Sequence, residues 1–377
     1  MNLNNLKVAL VHEFLGGTRG GQEEVLKELH ALFPDAPVYT IIADKKHLPD
    51  EYRRWDIRPT FIERLPFGAS HFQWYLPLMP SAIESIDLSE YDMVLSSASA
   101  FAKGVLTQPH TLHICYCHTP TRYLWTDAHS YIVNRRFPFF VRAFVQPYLT
   151  KLRLWDRLAA ERPQVMFANS HAVAARILRY YQRESTVIYP PVDTDAFSLG
   201  RGEGGYFLTG GRLVESKRFD LVVAAFNRLR MKLVIFGCGR EERRLRALAG
   251  PTVSFTGYLS REARAKVFAD AGAFIYPQVE DFGITAVESM AAGRPVIAYA
   301  AGGILETVKE GVTGVYFPEA TWECLAEAVV RFQKMQFDPQ RIRAHAQAYS
   351  TARFREEIPR YITHAWKTYK EDNSLPQ

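Results

Sequence analysis

Short apolar runs alternate with amphipathic segments along most of the chain. The first such segment follows an apolar run at residues 7–12 and places Val25, Leu26, Leu29 and Leu32 on one face of a predicted helix. The runs that predict strands in the first half are residues 7–12, 38–42, 93–96, 112–117, 165–168 and 187–189. This alternation predicts an α/β fold with a mainly parallel sheet that carries helices on both faces.

The same pattern starts again after residues 190–195, where Pro190 and Pro191 interrupt the periodicity. Strands are predicted at 206–209, 233–236, 253–255, 274–276 and 296–298, and helices at 220–229, 325–332, 341–349 and 354–370. We therefore expect two Rossmann-like domains, residues 1–192 and 193–352, with parallel sheets whose strand ends face a central cleft. The aromatic helix within 353–377 is expected to pack back on the N-terminal domain and to bridge the two halves.

Composition narrows the function classes. The chain has 377 residues, 47% of them hydrophobic, and no apolar run long enough to span a bilayer. Its start has no signal-peptide pattern, and its four cysteines lack the spacing of metal ligands, so we expect a cytoplasmic protein with reduced thiols. The net charge of +6 favours anionic partners such as phosphates, an acidic membrane or nucleic acid. A nucleic-acid partner is not expected, because the basic residues do not alternate with aromatic residues in a recognisable module.

Four polar or glycine-rich clusters follow predicted strands, at the edge where such sheets bind ligands. They are the loop 16–21, His118 with its neighbours, the loop 211–217 and the stretch 280–288. The first loop lacks G-x-G-x-x-G but can bring backbone N–H groups close to a diphosphate. In the third, Arg212 offers a fork for phosphate oxygens and Lys217 a mobile charge. A solvated basic loop is the alternative interpretation there.

The stretch 275–293 combines a loop, Gly283 and a short helix that ends near Gly293. Glu280 and Glu288 flank the helix start, where free N–H groups attract anions and carboxylates can accept hydrogen bonds from polyol hydroxyls. This pattern suggests a sugar–phosphate site. A capping box formed by Thr285 and Glu288 explains the same residues without a ligand, and the stretch alone does not exclude it.

Several motifs together resemble one enzyme family. The sequences GGRLVESKR (210–218), FTGYLS (255–260), E-x7-E (280–288), AAGRPVIA (291–298) and GGILETVKEGVTG (302–314) resemble family 4 glycosyltransferases of the GT-B fold. Within that family, YCHTPTRYLW (116–125) resembles bacterial mannosyltransferases of O-antigen and polysaccharide assembly. The resemblance implies a retaining enzyme that uses GDP-mannose and needs no metal or other cofactor.

The same resemblance assigns roles to individual residues. Arg212 and Lys217 would hold the donor diphosphate, and Glu288 would bind the ribose. The donor sugar would meet Glu280 beside the backbone of Phe282, Gly283 and Ile284. The base would pack on the loop of Gly257, Tyr258 and Leu259. Gly20 and Gly21, with Glu23, would approach the diphosphate. His118 would lie near the C6 hydroxyl of the sugar and the reacting centre. The expected catalytic residues are therefore His118, Glu280, Arg212 and Lys217.

The expected reaction is front-face transfer, in which the leaving diphosphate takes the acceptor proton while Arg212 and Lys217 stabilise its charge. Double displacement is the weaker alternative because both glutamates are committed to hydroxyl groups. The acceptor is expected to be a growing or polyprenyl-diphosphate-linked glycan. A UDP-sugar donor, a sugar-nucleotide 2-epimerase and a non-catalytic sugar-nucleotide-binding protein are the other candidates.

Residues 131–157 mix cations with large apolar side chains, including Arg135, Arg136, Arg142, Lys151 and Trp155. Such a segment can lie on an anionic membrane surface, which would suit a lipid-linked acceptor and a peripheral position at the inner face of the cell membrane. An ordinary helix packed on the N-terminal sheet is the alternative.

Overall fold

The computed structural model describes residues 3–16, 20–44, 46–68, 71–128, 139–200, 202 and 204–374. The chain divides into two compact units. The second runs from Pro191 to Phe354, and the first holds the chain up to Pro190 together with the chain from Arg355 onward. The boundaries predicted from the sequence were 192 and 352.

The first unit is built on a parallel sheet whose described strands follow the order β3-β2-β1-β4-β5-β6-β7. The strands are β1 (Val8–Leu15), β2 (Val38–Ala43), β3 (Ile57–Pro59), β4 (Met93–Ala98), β5 (Leu112–Cys117), β6 (Val165–Ala168) and β7 (Thr186–Val187). Every residue of β4 and β5 is buried, as expected of central strands covered on both faces.

Helices cover this sheet. They are α1 (Gly21–Leu32), α2 (Met79–Glu84), α3 (Phe139–Ala159) and α4 (His171–Tyr181), with short 3₁₀ turns at Phe61–Arg64 and Phe72–Leu78. Of the apolar residues that the sequence predicted on one face of α1, Val25, Leu26 and Leu29 are buried and Leu32 is partly buried. Ser170 caps α4 by accepting a hydrogen bond from the N–H of Val173 at 3.1 Å.

The second unit contains a parallel sheet of order β10-β9-β8-β11-β12-β13. Its strands are β8 (Phe207–Gly210), β9 (Leu233–Phe236), β10 (Val253–Gly257), β11 (Ala273–Tyr276), β12 (Val296–Tyr299) and β13 (Gly314–Phe317). Its helices are α5 (Phe219–Leu229), α6 (Glu242–Leu248), α7 (Arg261–Asp270), α8 (Ile284–Ala291), α9 (Ile304–Thr307), α10 (Trp322–Phe332) and α11 (Pro339–Ala346). The α/β class with two parallel, Rossmann-like sheets is therefore confirmed.

The last helix, α12 (Thr351–Ser374), packs against the first unit along most of its length. Arg355 donates to the Glu28 carboxylate of α1 at 2.6 Å, and the Tyr361 ring meets the Phe167 ring of β6 at 6.0 Å between centroids. Trp366 is buried. Through these contacts the aromatic side of the helix becomes part of the first unit.

Two strands were not predicted. β3 is only three residues long and contains Pro59, and β13 begins at Gly314 within a turn-rich sequence, so neither shows a clear period. Among the described residues, no helix is both long and apolar enough to cross a bilayer.

Candidate functional site

The loop that follows β8 presents two cations. Gly210 and Gly211 leave the strand with φ of +157° and +130°, and a 3₁₀ turn at Glu215–Lys217 brings the chain back toward the sheet. Arg212 is exposed on this loop, whereas Lys217 is partly buried. A side chain at Gly211 would place its Cβ 3.2 Å from Lys217 Nζ, so the glycine keeps room beside the lysine.

Glu280 lies in the loop after β11 and meets Lys217 directly. Lys217 Nζ is 3.0 Å from Glu280 Oε1, and Tyr276 donates its hydroxyl to Glu280 Oε2 at 2.8 Å. The Glu280 backbone is also fixed, because its carbonyl accepts the N–H of Gly303 at 2.9 Å. The carboxylate is therefore held from two sides by partners that come from two neighbouring strand ends.

Helix α8 starts differently from the prediction. Its N-cap is Gly283, in the left-handed region with φ of +96°, so the predicted cap at Thr285 is wrong. Thr285 lies inside the first turn, and its buried hydroxyl has no hydrogen-bond partner among the described residues. Only glycine adopts this N-cap conformation without strain, which leaves no position for a side-chain cap.

Glu288 does not form the capping box suggested as an alternative. Its carboxylate pairs with the Arg264 guanidinium of α7, and the Glu288 side chain is only 12% exposed. The Arg264 guanidinium also lies 5.5 Å from the centre of the Phe236 ring. Glu280, which precedes the start of α8, is thus paired with Lys217, and Glu288, which follows it, is paired with Arg264.

The loop predicted to receive the base follows β10. Gly257 has φ of +72°, and its carbonyl accepts the N–H of Gly237 at 2.7 Å, which ties this loop to the end of β9. Tyr258 is 84% exposed, and Leu259 is partly buried. An exposed aromatic ring on a fixed loop can stack on a planar group.

In the first unit, His118 follows β5 and is buried. Its Nε2 lies 2.8 Å from the hydroxyl of Ser97 on β4, and the same hydroxyl lies 3.2 Å from His12 Nδ1 on β1. Burial, helped by the nearby His12, lowers the pKa of His118 to about 3. The imidazole is therefore neutral near pH 7.

The loop after His118 is anchored by a buried ion pair that the sequence did not reveal. Lys103 Nζ lies 2.6 Å from Asp156 Oδ1, and both side chains are almost fully buried. The Asp156 carboxylate also accepts hydrogen bonds from Thr121, Trp125 and Tyr181 at 2.6, 2.7 and 2.8 Å. In the sequence, the position of Lys103 within the apolar run 100–105 is the one indication of a buried ion pair.

A second buried carboxylate was also missed. Glu13 of β1 accepts the Ser99 N–H at 2.8 Å and the Ser99 hydroxyl at 2.6 Å, which closes the turn after β4. Gly20 is the N-cap of α1, and its N–H donates to Glu23 at 2.8 Å, so Glu23 stabilises its own helix start. Gly21 begins the helix, and residues 17–19 lie outside the described residues.

The structure therefore brings Lys217 and Glu280 into contact, with Phe282, Gly283 and Ile284 leading directly from Glu280 into α8. Arg212 has no ion-pair partner in the part of the chain that is described, and its guanidinium stands in solvent. Among the described side chains, no group of three or more His, Cys, Asp or Glu is placed to hold a metal ion.

The chain is similar to a GDP-mannose-dependent alpha-mannosyltransferase of Mycolicibacterium smegmatis. The two are 36% identical over 121 residues, which are 32% of each protein. The chain thus matches about a third of the length of that relative. Sucrose-phosphate synthase from Thermosynechococcus elongatus superposes with a TM-score of 0.75 at 17% identity, over 96% of this chain and 100% of that one. HepE from Anabaena, solved with UDP and glucose, has a TM-score of 0.69 at 17% identity, over 95% of this chain and 100% of that one.

Two family models match adjoining parts of the sequence. The model described as Glycosyltransferase Family 4 matches residues 19–196, and the model described as Glycosyl transferases group 1 matches residues 192–350. The structural likenesses above agree with both in fold. The chain belongs to the family 4 glycosyltransferases, with the GT-B fold.

Proposed function

We propose that this protein is a retaining glycosyltransferase that moves mannose from GDP-mannose to a growing or lipid-linked glycan, without a metal. The observation that carries the proposal is the contact between Lys217 and Glu280 at the ends of β8 and β11. A lysine can bind phosphate and a carboxylate can accept hydrogen bonds from sugar hydroxyls, so the two groups together would suit a nucleotide sugar.

The donor would occupy the second unit from base to sugar. Tyr258 and the loop of Gly257 and Leu259 would contact the base, and Glu288 would accept hydrogen bonds from the ribose. Arg212, which is exposed and has a forked set of donors, would move onto the diphosphate. Glu280 would bind the sugar hydroxyls while Tyr276 fixes the orientation of its carboxylate.

Transfer would proceed on one face of the sugar. The acceptor oxygen forms its bond to C1 as the bond from C1 to the diphosphate oxygen breaks, and that departing oxygen takes the acceptor proton. Arg212 and Lys217 stabilise the developing negative charge of the diphosphate. His118 would act as a neutral hydrogen-bond partner of the donor sugar, because its lowered pKa keeps it uncharged near pH 7. Gly20 and Gly21 would approach the diphosphate with backbone N–H groups.

The choice of GDP-mannose rests on the relative from Mycolicibacterium smegmatis and on the 116–125 motif. A UDP-sugar is the second candidate donor, because HepE, a structural neighbour, was solved with UDP and glucose. The proposed roles of Lys217, Glu280 and Glu288 are the same for both donors. These residues would contact the diphosphate, the sugar and the ribose, which both donors contain.

The acceptor proposal rests on the surface of α3. Leu154 and Leu158 lie one turn apart, are 63% and 51% exposed, and follow the exposed Lys151. Phe67 and Trp74, both 66% exposed, lie in a segment that α3 contacts, where Tyr148 donates its hydroxyl to the Leu76 carbonyl at 3.0 Å. The exposed Leu154 and Leu158 beside Lys151 on α3 would suit the interface of an anionic membrane that carries a lipid-linked acceptor. Arg135 and Arg136 lie outside the described residues.

The test is a panel of GDP-mannose, UDP-glucose, UDP-N-acetylglucosamine and GDP, measured by thermal shift and by donor hydrolysis. Wild type is compared with Glu280→Ala and with Glu319→Ala, which removes an exposed carboxylate elsewhere in the same unit. We expect a rise in melting temperature and slow hydrolysis with GDP-mannose, lost only in Glu280→Ala. A response to a UDP-sugar would replace the donor, an inverted anomer would exclude the front-face mechanism, and no response at all would contradict the enzyme proposal.

A further inference from the structure

One serine hydroxyl connects two buried imidazoles in the first unit. In the parallel register of β1 and β4, His12 is paired with Ser97, and His118 follows the end of β5, the neighbour of β4 on its other side. Ser97 Oγ lies 3.2 Å from His12 Nδ1 and 2.8 Å from His118 Nε2. None of the three side chains is more than 4% exposed, so water does not compete freely for these contacts.

The hydroxyl has a single proton, and this restricts both rings. If Ser97 donates to one imidazole nitrogen, it must accept from the other, which then carries a proton. Burial, more than the nearby His12, lowers the pKa of His118 to about 3, so His118 is a neutral ring with one proton near pH 7. When His12 is neutral as well, three arrangements of protons satisfy both hydrogen bonds, because the hydroxyl oxygen can also accept from both nitrogens at once.

In the first arrangement His118 Nε2–H donates to Ser97, and Ser97 donates to His12 Nδ1. Both rings then carry their proton on Nε2, which is the more stable neutral form of a free histidine side chain. In the second arrangement both rings carry the proton on Nδ1, the less stable form. In the third arrangement His118 Nε2–H and His12 Nδ1–H both donate to Ser97. The first arrangement alone uses the more stable form at both rings, and the first and the third both place the proton of His118 on Nε2.

We propose that Ser97 and His12 are positioning residues that hold the proton of His118 on Nε2 and leave Nδ1 as an acceptor for a hydroxyl group of the donor sugar. This inference rests on the proposed function, in which His118 meets the sugar. Ser97 and His12 act through His118 and touch no substrate. The hydrogen bond fixes both the ring orientation and the nitrogen that is offered.

The neighbouring serine supplies a matched control. Ser96 Oγ lies 2.8 Å from His113 Nε2, and both residues are fully buried. Because successive side chains of a strand point to opposite faces, Ser96 makes its histidine contact on the other face of β4. Ser96→Ala and Ser97→Ala thus remove the same kind of buried hydrogen bond, and only Ser97→Ala affects His118.

The first readout is the tautomer of His118, measured by ¹⁵N NMR on protein with labelled histidine and assigned from the signals missing in His118→Gln. We expect the proton on Nε2 in wild type and in Ser96→Ala, and a mixture of tautomers in Ser97→Ala. In His12→Phe, Ser97 loses one of its two histidine partners and can either accept from or donate to His118 Nε2, so a larger fraction of the Nδ1 form than in wild type is expected. A proton on Nδ1 in wild type, or an unchanged tautomer in Ser97→Ala, would overturn the proposal.

The second readout is the rate of transfer with the donor that the panel identifies. We expect Ser97→Ala to lower kcat roughly tenfold relative to Ser96→Ala, with a smaller effect on the donor KM. Equal rates in the two serine variants would contradict the positioning role while leaving the proposed function intact. Absence of turnover in wild type would instead contradict the proposed function, and the NMR result would still stand.

Discussion

Lys217 Nζ lies 3.0 Å from Glu280 Oε1, although the two residues belong to loops that follow different strands of the second sheet. Their side chains are 19% and 28% exposed, so the pair is shielded but open enough to be reached by a ligand. A bound diphosphate would compete with Glu280 for the lysine, and sugar hydroxyls would compete with the lysine for Glu280. Under the proposed function, the pair would keep two ligand-binding groups in place before the ligand arrives.

Lys217→Ala should lower kcat/KM by about 100- to 1,000-fold, because a positioned cation beside the leaving group stabilises charge that develops only in the transition state. Steady-state kinetics with the identified donor measure the effect. Lys7→Ala is the control, since Lys7 forms an exposed ion pair with Glu90 at 3.8 Å. A loss confined to KM, with kcat unchanged, would show that Lys217 binds the donor without stabilising the transition state.

Gly283→Ala should destabilise the protein and also impair the reaction. Its φ of +96° is unfavourable for alanine, and the added Cβ would lie 3.1 Å from the Tyr276 hydroxyl that holds Glu280. Gly311→Ala is a matched control, with φ of +71° and no atom within 4 Å of the added Cβ. Urea denaturation should show a loss of about 1–2 kcal/mol in both variants, whereas activity should fall only in Gly283→Ala. Equal activity in both would mean that Tyr276 does not position Glu280.

The sequence predicted the parts of the site whose position follows from chain order. The end of a strand fixes where the next loop begins, and so Arg212, Lys217, Glu280 and His118 could be placed at the ligand-binding edge of their sheets from the sequence alone. The local motifs carried this information because each loop follows its own strand directly.

Contacts between distant segments could not be predicted in the same way. Ser97 meets His12 only through the register of β1 and β4, and Asp156 meets Lys103 only because α3 packs over the turn after β4. The start of α8 was predicted wrongly for a local reason, since Thr285 and Glu288 have the spacing of a capping box but Gly283 takes the N-cap position. Glu288 instead pairs with Arg264, which no spacing rule indicates.

Asp156→Ala should cost about 3–5 kcal/mol of unfolding free energy, because it leaves the buried Lys103 cation without its counter-charge. The hydroxyl groups of Thr121 and Tyr181 would also lose their acceptor. Urea denaturation measures the change. Glu90→Ala, which breaks the exposed pair with Lys7, should change stability by less than about 1 kcal/mol. A similar small effect for Asp156→Ala would mean that the Lys103 charge is neutralised in some other way.

Stability should fall as the pH drops below 6.5. Burial, with smaller effects of Arg183 and Arg162, lowers the pKa of His113 to about 3, while the unfolded chain keeps a value near 6.5. Between pH 6.5 and 3 the unfolded chain therefore binds a proton that the folded chain does not, and each such histidine costs about 1.4 kcal/mol per pH unit. Above pH 7.5 the ring makes no contribution to the pH dependence.

His113→Gln should remove this contribution. Urea denaturation of wild type and variant at pH 7.5, 6.0 and 5.0 gives the slope of the unfolding free energy against pH for each protein. The contribution of the carboxylates is the same in both proteins and cancels in the difference between the slopes. His47→Gln is the control, because His47 is exposed beside Asp44. If wild type and His113→Gln lose stability in parallel below pH 6.5, then His113 is able to protonate in the folded protein.

Arg264→Leu should weaken the proposed recognition of the ribose by Glu288. Arg264 pairs with Glu288, and its guanidinium lies 5.5 Å from the centre of the Phe236 ring, so the arginine holds the carboxylate in one orientation. In wild type, kcat/KM should be roughly tenfold or more lower for a 2′-deoxy or 3′-deoxy donor than for the complete donor, because the deoxy donor lacks one hydrogen bond to Glu288. In Arg264→Leu this discrimination should shrink, because Glu288 is no longer fixed against the hydroxyls. Arg331→Leu, which breaks the exposed contact with Glu310 at 3.5 Å, should keep full discrimination. If Arg264→Leu discriminates as well as wild type, Glu288 either needs no help from Arg264 or does not bind the ribose, and Glu288→Gln separates these two cases by its own loss of discrimination.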